Sequence, residues 1–296
     1  MCVGCIMHIF VALLATFVAA SWGLNAAVTK YGALNIPPLT LLVFRYLLTT
    51  LIFLPFARIK KSEIEPLVKI AFLEGVVTNG AIYTAFKYLS PTASTLLLQT
   101  GAPLAIMLAC LFGRERISKK ETTGIAVSLA GVIVIVGLPD VSLFGCALIL
   151  LSRLSWASTQ LLYKKLPSIT AASFIAYMSL FALPFLIPVA LISDYAVYGA
   201  VTEIKWGRLA VNMVYQVGVL SLSMIIWQKL IASYGVSRIS PFSILQIVFG
   251  ILGGIVLFGD VITPKMGLGI AMVTSGLVMT VYSRRSVVPK VAEMEI

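Results

Sequence analysis

The chain has 296 residues, of which 60% are hydrophobic and 11% are charged, and its mean hydropathy is +1.04. Soluble domains carry about 25% charged residues, so this composition excludes an ordinary soluble fold. The net charge of +11 does not indicate a nucleic-acid partner, because the basic residues lie in short segments between long apolar runs. These totals predict an all-α polytopic membrane protein.

Apolar runs of about 20 residues, each long enough to cross a bilayer, recur along the chain. Prolines such as Pro66, Pro91 and Pro264 fall where runs begin. The pattern predicts ten transmembrane helices, at 6–29, 37–57, 66–87, 92–112, 118–137, 141–163, 169–192, 208–231, 239–258 and 264–283. The first run follows no basic segment, which favours a span over a signal peptide. Residues 193–207, which include Asp194 and Trp206, are interpreted as a surface loop, alone or with an interfacial helix.

Two internal echoes indicate that the chain is a duplication. Ser21-Trp22 returns as Ser155-Trp156, and the same offset of 134 aligns Asn25 with Thr159 and Lys30 with Lys164. A second echo, of Glu115 through Gly131, returns at an offset of 145. We therefore predict one repeat at 1–138, a second at 139–285, and a cytoplasmic tail at 286–296.

The basic residues predict the orientation, because loops rich in Lys and Arg stay in the cytoplasm. With the N-terminus inside, fifteen basic residues lie in inside segments and five in outside segments, namely Lys30, Lys87, Lys205, Arg208 and Lys265. Both termini are thus expected in the cytoplasm of an inner-membrane protein. Five spans is an odd number, so the second repeat enters the membrane from the opposite side. The two five-helix repeats (5+5) are therefore predicted to be inverted.

Polar side chains within spans mark the predicted interior, because charge in hydrocarbon is costly. Helical spacing puts them on single faces of spans one, three and four, and of spans six, eight and nine. Spans five and ten carry only small residues, which predicts close packing at the periphery. The candidate substrate-pathway residues are Trp22, Asn25, Arg45, Glu74, Asn79, Tyr83, Gln99, Arg153, Trp156, Gln160, Gln216 and Gln246.

Alternatives stay open for several of these residues. An amide or hydroxyl within a span can simply bond to a neighbouring helix, and Trp22 and Trp156 can belong to an interfacial aromatic belt. Glu74 is the only acid predicted to lie within the membrane, so it is the candidate for carrying a coupling proton. A salt bridge to Arg45, or a position at the rim, is the competing interpretation.

The sequence argues against an enzyme and against resident cofactors or metals. His8 is the only histidine. We therefore expect neither a catalytic Ser–His pair nor a histidine-rich metal site. No phosphate-binding loop of the ATPase type is present, so direct use of ATP is not expected. Whether the chain is a monomer or a homodimer stays open.

Several motifs resemble the EamA-like family of the drug/metabolite transporter superfamily. They are Trp22-Gly23-Leu24-Asn25 with Lys30, Pro37-Pro38, Phe44-Arg45-Tyr46, and Phe112-Gly113 with Glu115, Gly124 and Gly131. Similarity of this kind runs over essentially the whole chain. Within the family, the chain resembles exporters of amino acids and related metabolites, including the O-acetylserine/cysteine and aromatic amino acid exporters. The resemblance implies a secondary transporter of a small polar metabolite that works by alternating access. An uncoupled facilitator or channel is the alternative, and an integral-membrane enzyme is a more remote one.

Overall fold

The structure is a computed structural model that describes residues 3–34, 36–113, 118–138, 141–163, 165–166, 169–198, 204–235 and 239–285. Every regular element within these ranges is helical, which agrees with the predicted all-α class. Five helical stretches are long and apolar enough to cross a membrane: Ile9–Ala33, Pro38–Phe56, Ala171–Asp194, Trp206–Tyr234 and Pro241–Phe258. A helix suits such a chain because it satisfies its own backbone donors and acceptors.

The first half contains α1 (Val3–Ala33), α2 (Pro38–Phe53), α3 (Lys61–Ile70), α4 (Asn79–Ala85), α5 (Pro91–Leu98), α6 (Gly101–Gly113) and α7 (Lys119–Val136). A π-helical segment, Ala71–Thr78, joins α3 to α4 and is called π1 below. Local chemistry explains several starts. Proline occupies the first turn of α2 and α5, where no backbone N–H is needed. A capping box between Ser118 and Glu121 begins α7.

The second half contains α8 (Leu143–Tyr163), α9 (Ala171–Tyr198), α10 (Trp206–Met213), α11 (Leu220–Tyr234), α12 (Leu245–Phe258) and α13 (Pro264–Arg285). A second π-helical segment, Val214–Val219, joins α10 to α11 and is called π2. A 3-10 turn, Ser240–Ile244, precedes α12. Gly259 follows α12 with φ of 67°, a conformation that residues with a Cβ rarely adopt and that ends the helix.

The segment interpreted as a loop at 193–207 is largely helical at both of its ends. Helix α9 continues to Tyr198 and α10 begins at Trp206, so placing Asp194 and Trp206 in a loop is wrong. Asp194 is buried, and its Oδ2 accepts hydrogen bonds of 2.9 Å from both the amide and the hydroxyl of Thr40. The carboxylate thus caps the start of α2, a role that composition alone does not reveal.

Packing follows the duplication. Helix α7 packs along α13, and α2 packs along α9. Helix α1 packs against α12, and α6 packs against α8. When the two halves are aligned, α1 corresponds to α8, and α12 corresponds to the α5–α6 segment. The contact of α1 with α12 is therefore equivalent to the contact of α8 with α6. The π-helical segments also fall at matching places, one in the third helical segment of each half.

Small residues bring α7 and α13 together, as the sequence predicts. A Cβ added at Gly276 would lie 2.5 Å from both the Gly124 carbonyl oxygen and the Ser128 amide nitrogen. A Cβ at Gly131 would lie 2.8 Å from Val273 N. Because the obstructing atoms belong to the backbone, a side chain here forces the two helices apart.

Replacing Gly276 with Ala should therefore lower the free energy of unfolding by about 1–3 kcal/mol, the usual cost of overpacking. Gly267→Ala, in the same helix but with no atom within 4 Å of its added Cβ, is the matched control and should cost nothing. Thermal unfolding in detergent measures both variants. Equal melting temperatures for the two would show that the α7–α13 contact is looser than described.

Candidate functional site

The carboxylate of Glu74 joins π1 to α8. Its Oε2 accepts a hydrogen bond of 2.6 Å from the Tyr163 hydroxyl and one of 3.2 Å from the Thr159 hydroxyl. Thr159 Oγ1 also lies 2.7 Å from the Trp156 carbonyl oxygen, so its hydroxyl group has two acceptors within hydrogen-bond distance. We call Glu74, Thr159 and Tyr163 the acid cluster. It bridges the two halves, because π1 belongs to the first and α8 to the second.

A second cluster joins π2 to α1 in the same way. Gln216 Nε2 donates to Asn25 Oδ1 at 2.8 Å and to Thr29 Oγ1 at 2.5 Å, and the Thr29 hydroxyl lies 3.1 Å from Asn25 Oδ1. Nearby, Asn212 Nδ2 donates to the Val28 carbonyl oxygen at 2.7 Å. We call Asn25, Thr29 and Gln216 the amide cluster. It too connects one half of the chain to the other.

The two clusters occupy matching positions of the duplication. The offset of 134 that aligns Asn25 with Thr159 also aligns Thr29 with Tyr163, and Glu74 and Gln216 are 142 positions apart. Each cluster thus pairs residues four apart on α1 or α8 with a π-helical residue. The candidate set from sequence contains Asn25, Glu74 and Gln216 but lacks the three hydroxyl partners. The 134 offset already aligns Thr159 with Asn25, and extending it by one helical turn aligns Thr29 with Tyr163.

Two arginines lie close to the acid cluster without pairing with it. Arg45 Nη1 donates to the Tyr83 hydroxyl at 3.2 Å, and its guanidinium carbon lies 5.9 Å from the centre of the Tyr46 ring. Arg153 Nε donates to Ser152 Oγ at 3.2 Å. Both arginines interact electrostatically with Glu74. Glu74 forms no ion pair within 4 Å in the described part of the chain, which excludes the predicted alternative of a direct salt bridge to Arg45.

The two repeat-related tryptophans have different surroundings. The Trp156 ring lies 5.7 Å from the Arg153 guanidinium carbon. A Cβ added at Gly101 would lie 3.2 Å from both Arg153 Cδ and Trp156 Cε3, so α6 passes directly over this pair. The Trp22 ring instead packs edge-on against Trp227, with centroids 5.0 Å apart. Trp22 therefore lies against α11.

The remaining candidates form hydrogen bonds of their own. Gln246 Nε2 approaches Gln99 Oε1 at 3.4 Å, which joins α12 to the break between α5 and α6. Asn79 Nδ2 donates to the Glu74 carbonyl oxygen at 2.7 Å, and Gln160 Nε2 lies 3.4 Å from the Trp156 carbonyl oxygen. Tyr83, Gln99 and Gln216 are buried, whereas the other nine candidates stay partly accessible.

A cavity of about 700 Å³ opens elsewhere, where the start of α5 meets the end of α7 and the start of α13. Ser90, Leu138, Asp260 and Lys265 are among its lining residues. None of the twelve candidates lines this cavity. Among the described residues, no three His, Cys, Asp or Glu side chains come together in a way that would hold a metal ion.

Comparison with known proteins identifies the class. The EamA-like transporter family matches residues 9–137 and 143–282, so the chain belongs to this family and is a transporter. Two curated relatives are each called a probable amino-acid metabolite efflux pump. The Salmonella typhimurium protein is 28% identical and the Escherichia coli protein 27% identical, each over 92% of this chain and 95% of its own length.

A solved crystal structure shares the fold. It covers 94% of this chain and 99% of its own chain, with a TM-score of 0.58 and 14% sequence identity. At that identity the likeness concerns the fold alone.

The contact of Gly101 with Arg153 and Trp156 predicts a transport defect. Gly101→Val should raise the KM for a transported substrate several-fold, because the added methyl groups displace both side chains, while the melting temperature stays within a few degrees. Gly267→Val, at an uncrowded position of α13, should change neither quantity. Unchanged transport by Gly101→Val would remove Arg153 and Trp156 from the substrate pathway.

Proposed function

We propose that the protein is a secondary carrier that exports a small polar metabolite, most directly an amino acid or a related compound, by alternating access. The observation that carries this proposal is the pair of repeat-related polar clusters, each bonding one half to the other. A carrier exposes its site to one side at a time, and rocking of two repeats about a fixed seam achieves this. The acid cluster and the amide cluster provide equivalent contacts between the two repeats at such a seam.

The proposed topology has ten spans in two inverted five-helix repeats, 1–138 and 139–285, with both termini and the 286–296 tail in the cytoplasm of an inner-membrane protein. Its support is the bias of basic residues toward the inside segments and the odd number of spans in each repeat. The matching places of π1 and π2 add to that support. The chain acts with the lipid bilayer as its solvent, as a monomer or a homodimer.

The substrate class follows from the charges around the acid cluster. Arg45 and Arg153 face one carboxylate, Glu74, so the interior carries a net positive charge when all three groups are ionised. That balance suits a substrate with a carboxylate group, which guanidinium groups bind well. The ring of Trp156 beside Arg153 supplies an apolar wall. The names of the two relatives agree with an amino-acid metabolite as substrate.

Glu74 is the proposed carrier of a coupling proton. Among the described residues of π1 and α8 it is the only carboxylic acid, and the hydroxyl groups of Thr159 and Tyr163 hold it there. Its amide analogue would keep both hydrogen bonds, because the amide oxygen of glutamine can accept from Thr159 and Tyr163. Loss of ionisation can therefore be separated from loss of contact.

The Glu74→Gln variant tests this proposal in liposomes, with radiolabelled cysteine and phenylalanine as probes. We expect wild-type protein to show saturable counterflow of at least one probe and faster transport under a pH gradient. Glu74→Gln should keep counterflow, while its gradient-driven transport falls to the rate measured without a gradient. Glu65→Gln, which removes an exposed acid of α3, should behave like wild type.

Each outcome has a separate meaning. Gradient-driven transport that survives in Glu74→Gln would refute proton coupling at this residue. Linear flux of the probes without exchange would instead indicate a channel or facilitator. If neither probe moves, the amino-acid assignment fails.

A further inference from the structure

Both clusters lie toward the C-terminal ends of the long helices that carry them. Thr159 and Tyr163 are in the last turns of α8, which ends at Tyr163. Asn25 and Thr29 are near the end of α1, which ends at Ala33. At about 1.5 Å per residue, Thr29 lies about 6 Å from the end of its helix. Both pairs are thus nearer to the C-terminal ends of their helices than to the N-terminal ends.

In the proposed topology, on which the inference rests, these positions place the two clusters on different sides of the bilayer centre. Helix α1 begins in the cytoplasm and ends outside, whereas α8 begins outside and ends in the cytoplasm. The C-terminal ends of α1 and α8 therefore lie on opposite sides of the membrane. The amide cluster is displaced toward the outside, and the acid cluster toward the cytoplasm.

We propose that the two clusters are the gates of the transport cycle: the amide cluster closes the outer side and the acid cluster closes the inner side. Each gate bonds a helix of one half to the π-helical segment of the other. Opening to one side requires the inter-half bonds on that side to break while those on the other side hold. Asn25, Thr29, Gln216, Thr159 and Tyr163 are accordingly positioning residues whose bonds set the balance between the two states.

Two features make these bonds suitable for reversible breaking. Both clusters include a residue of a π-helical segment, where the regular hydrogen-bond ladder is already interrupted. In the amide cluster, Gln216 Oε1 is buried and has no hydrogen-bond partner among the described residues. The outer gate is therefore held by fewer bonds than its polar groups allow, which limits the cost of opening.

A single accessible cysteine near the middle of the pathway reports which gate is open. Gln246 is partly accessible and contacts Gln99 across the two halves, so Gln246→Cys is placed in a background in which Cys2, Cys5, Cys110 and Cys146 are replaced by Ser. A membrane-impermeant thiol reagent is then added to right-side-out or inside-out vesicles, with and without a saturating concentration of phenylalanine. Phenylalanine is used here because, unlike cysteine, it has no thiol group that would react with the reagent. The measured quantity is the labelling rate from each side.

Two double variants weaken one gate each. Thr29→Val with Gln216→Leu removes the outer bonds, and Thr159→Val with Tyr163→Phe removes the inner ones. We expect the first to label at least about fivefold faster from outside and more slowly from inside, and the second to show the reverse, because the loss of a single net hydrogen bond already shifts the balance about fivefold. A purely structural role would not move the two rates in opposite directions. If a double variant fails to fold, Thr29→Val alone and Tyr163→Phe alone carry the same expectation with smaller changes.

The controls separate this inference from the proposed function. Lys265→Cys, which is exposed beyond the end of α12, should label from outside at the same rate in every background. The Gln246→Cys reporter is also measured with both gates unaltered. If its cysteine is labelled from one side only at every phenylalanine concentration, alternating access itself is refuted. If the cysteine is labelled from both sides, and the two double variants shift the labelling rates in the same direction or leave them unchanged, the gates are refuted. The proposal of a carrier is unaffected by that result.

Discussion

The structure depends on one constraint: polar groups inside apolar helices must find their partners within the protein, because hydrocarbon offers none. The chain meets this constraint where its halves meet. Glu74 takes its hydrogen bonds from α8, and Gln216 takes its bonds from α1. Polar residues that would be costly against lipid thus become the contacts between the halves.

The apolar parts of the interface have a different role. Helices α7 and α13 touch through glycines so closely that the contact leaves no room for a side chain, and α2 lies along α9 in an apolar core that includes Leu41 and Leu186. The α2–α9 contact also includes the buried Asp194 carboxylate, which Thr40 of α2 holds by two hydrogen bonds. We regard these two helix contacts as the fixed part of the seam, about which the polar contacts between α1, α8 and the π-helical segments change.

Sequence alone predicts much of this arrangement, because apolar length and proline position determine where helices begin and end. The small-residue contact of α7 with α13 is confirmed, since only small residues allow backbones so close. Periodicity assigns a residue to a face but does not name its partner, so the bonds of Thr159 and Tyr163 to Glu74 were not predicted. Asp194 was misplaced for a related reason: its polarity suggests a loop, whereas its partner, the start of α2, lies far away in sequence.

The central claim is that the two repeats have inverted topology in the membrane. The side of the membrane on which residues 138–142 lie tests this claim most directly. Alkaline phosphatase, active only outside the cytoplasm, and green fluorescent protein, fluorescent only inside, are fused after Leu138 and after Ile296. The account predicts phosphatase activity after Leu138 and fluorescence after Ile296, with the N-terminus inaccessible from outside. Finding both fusion points on the same side of the membrane would contradict an inverted repeat.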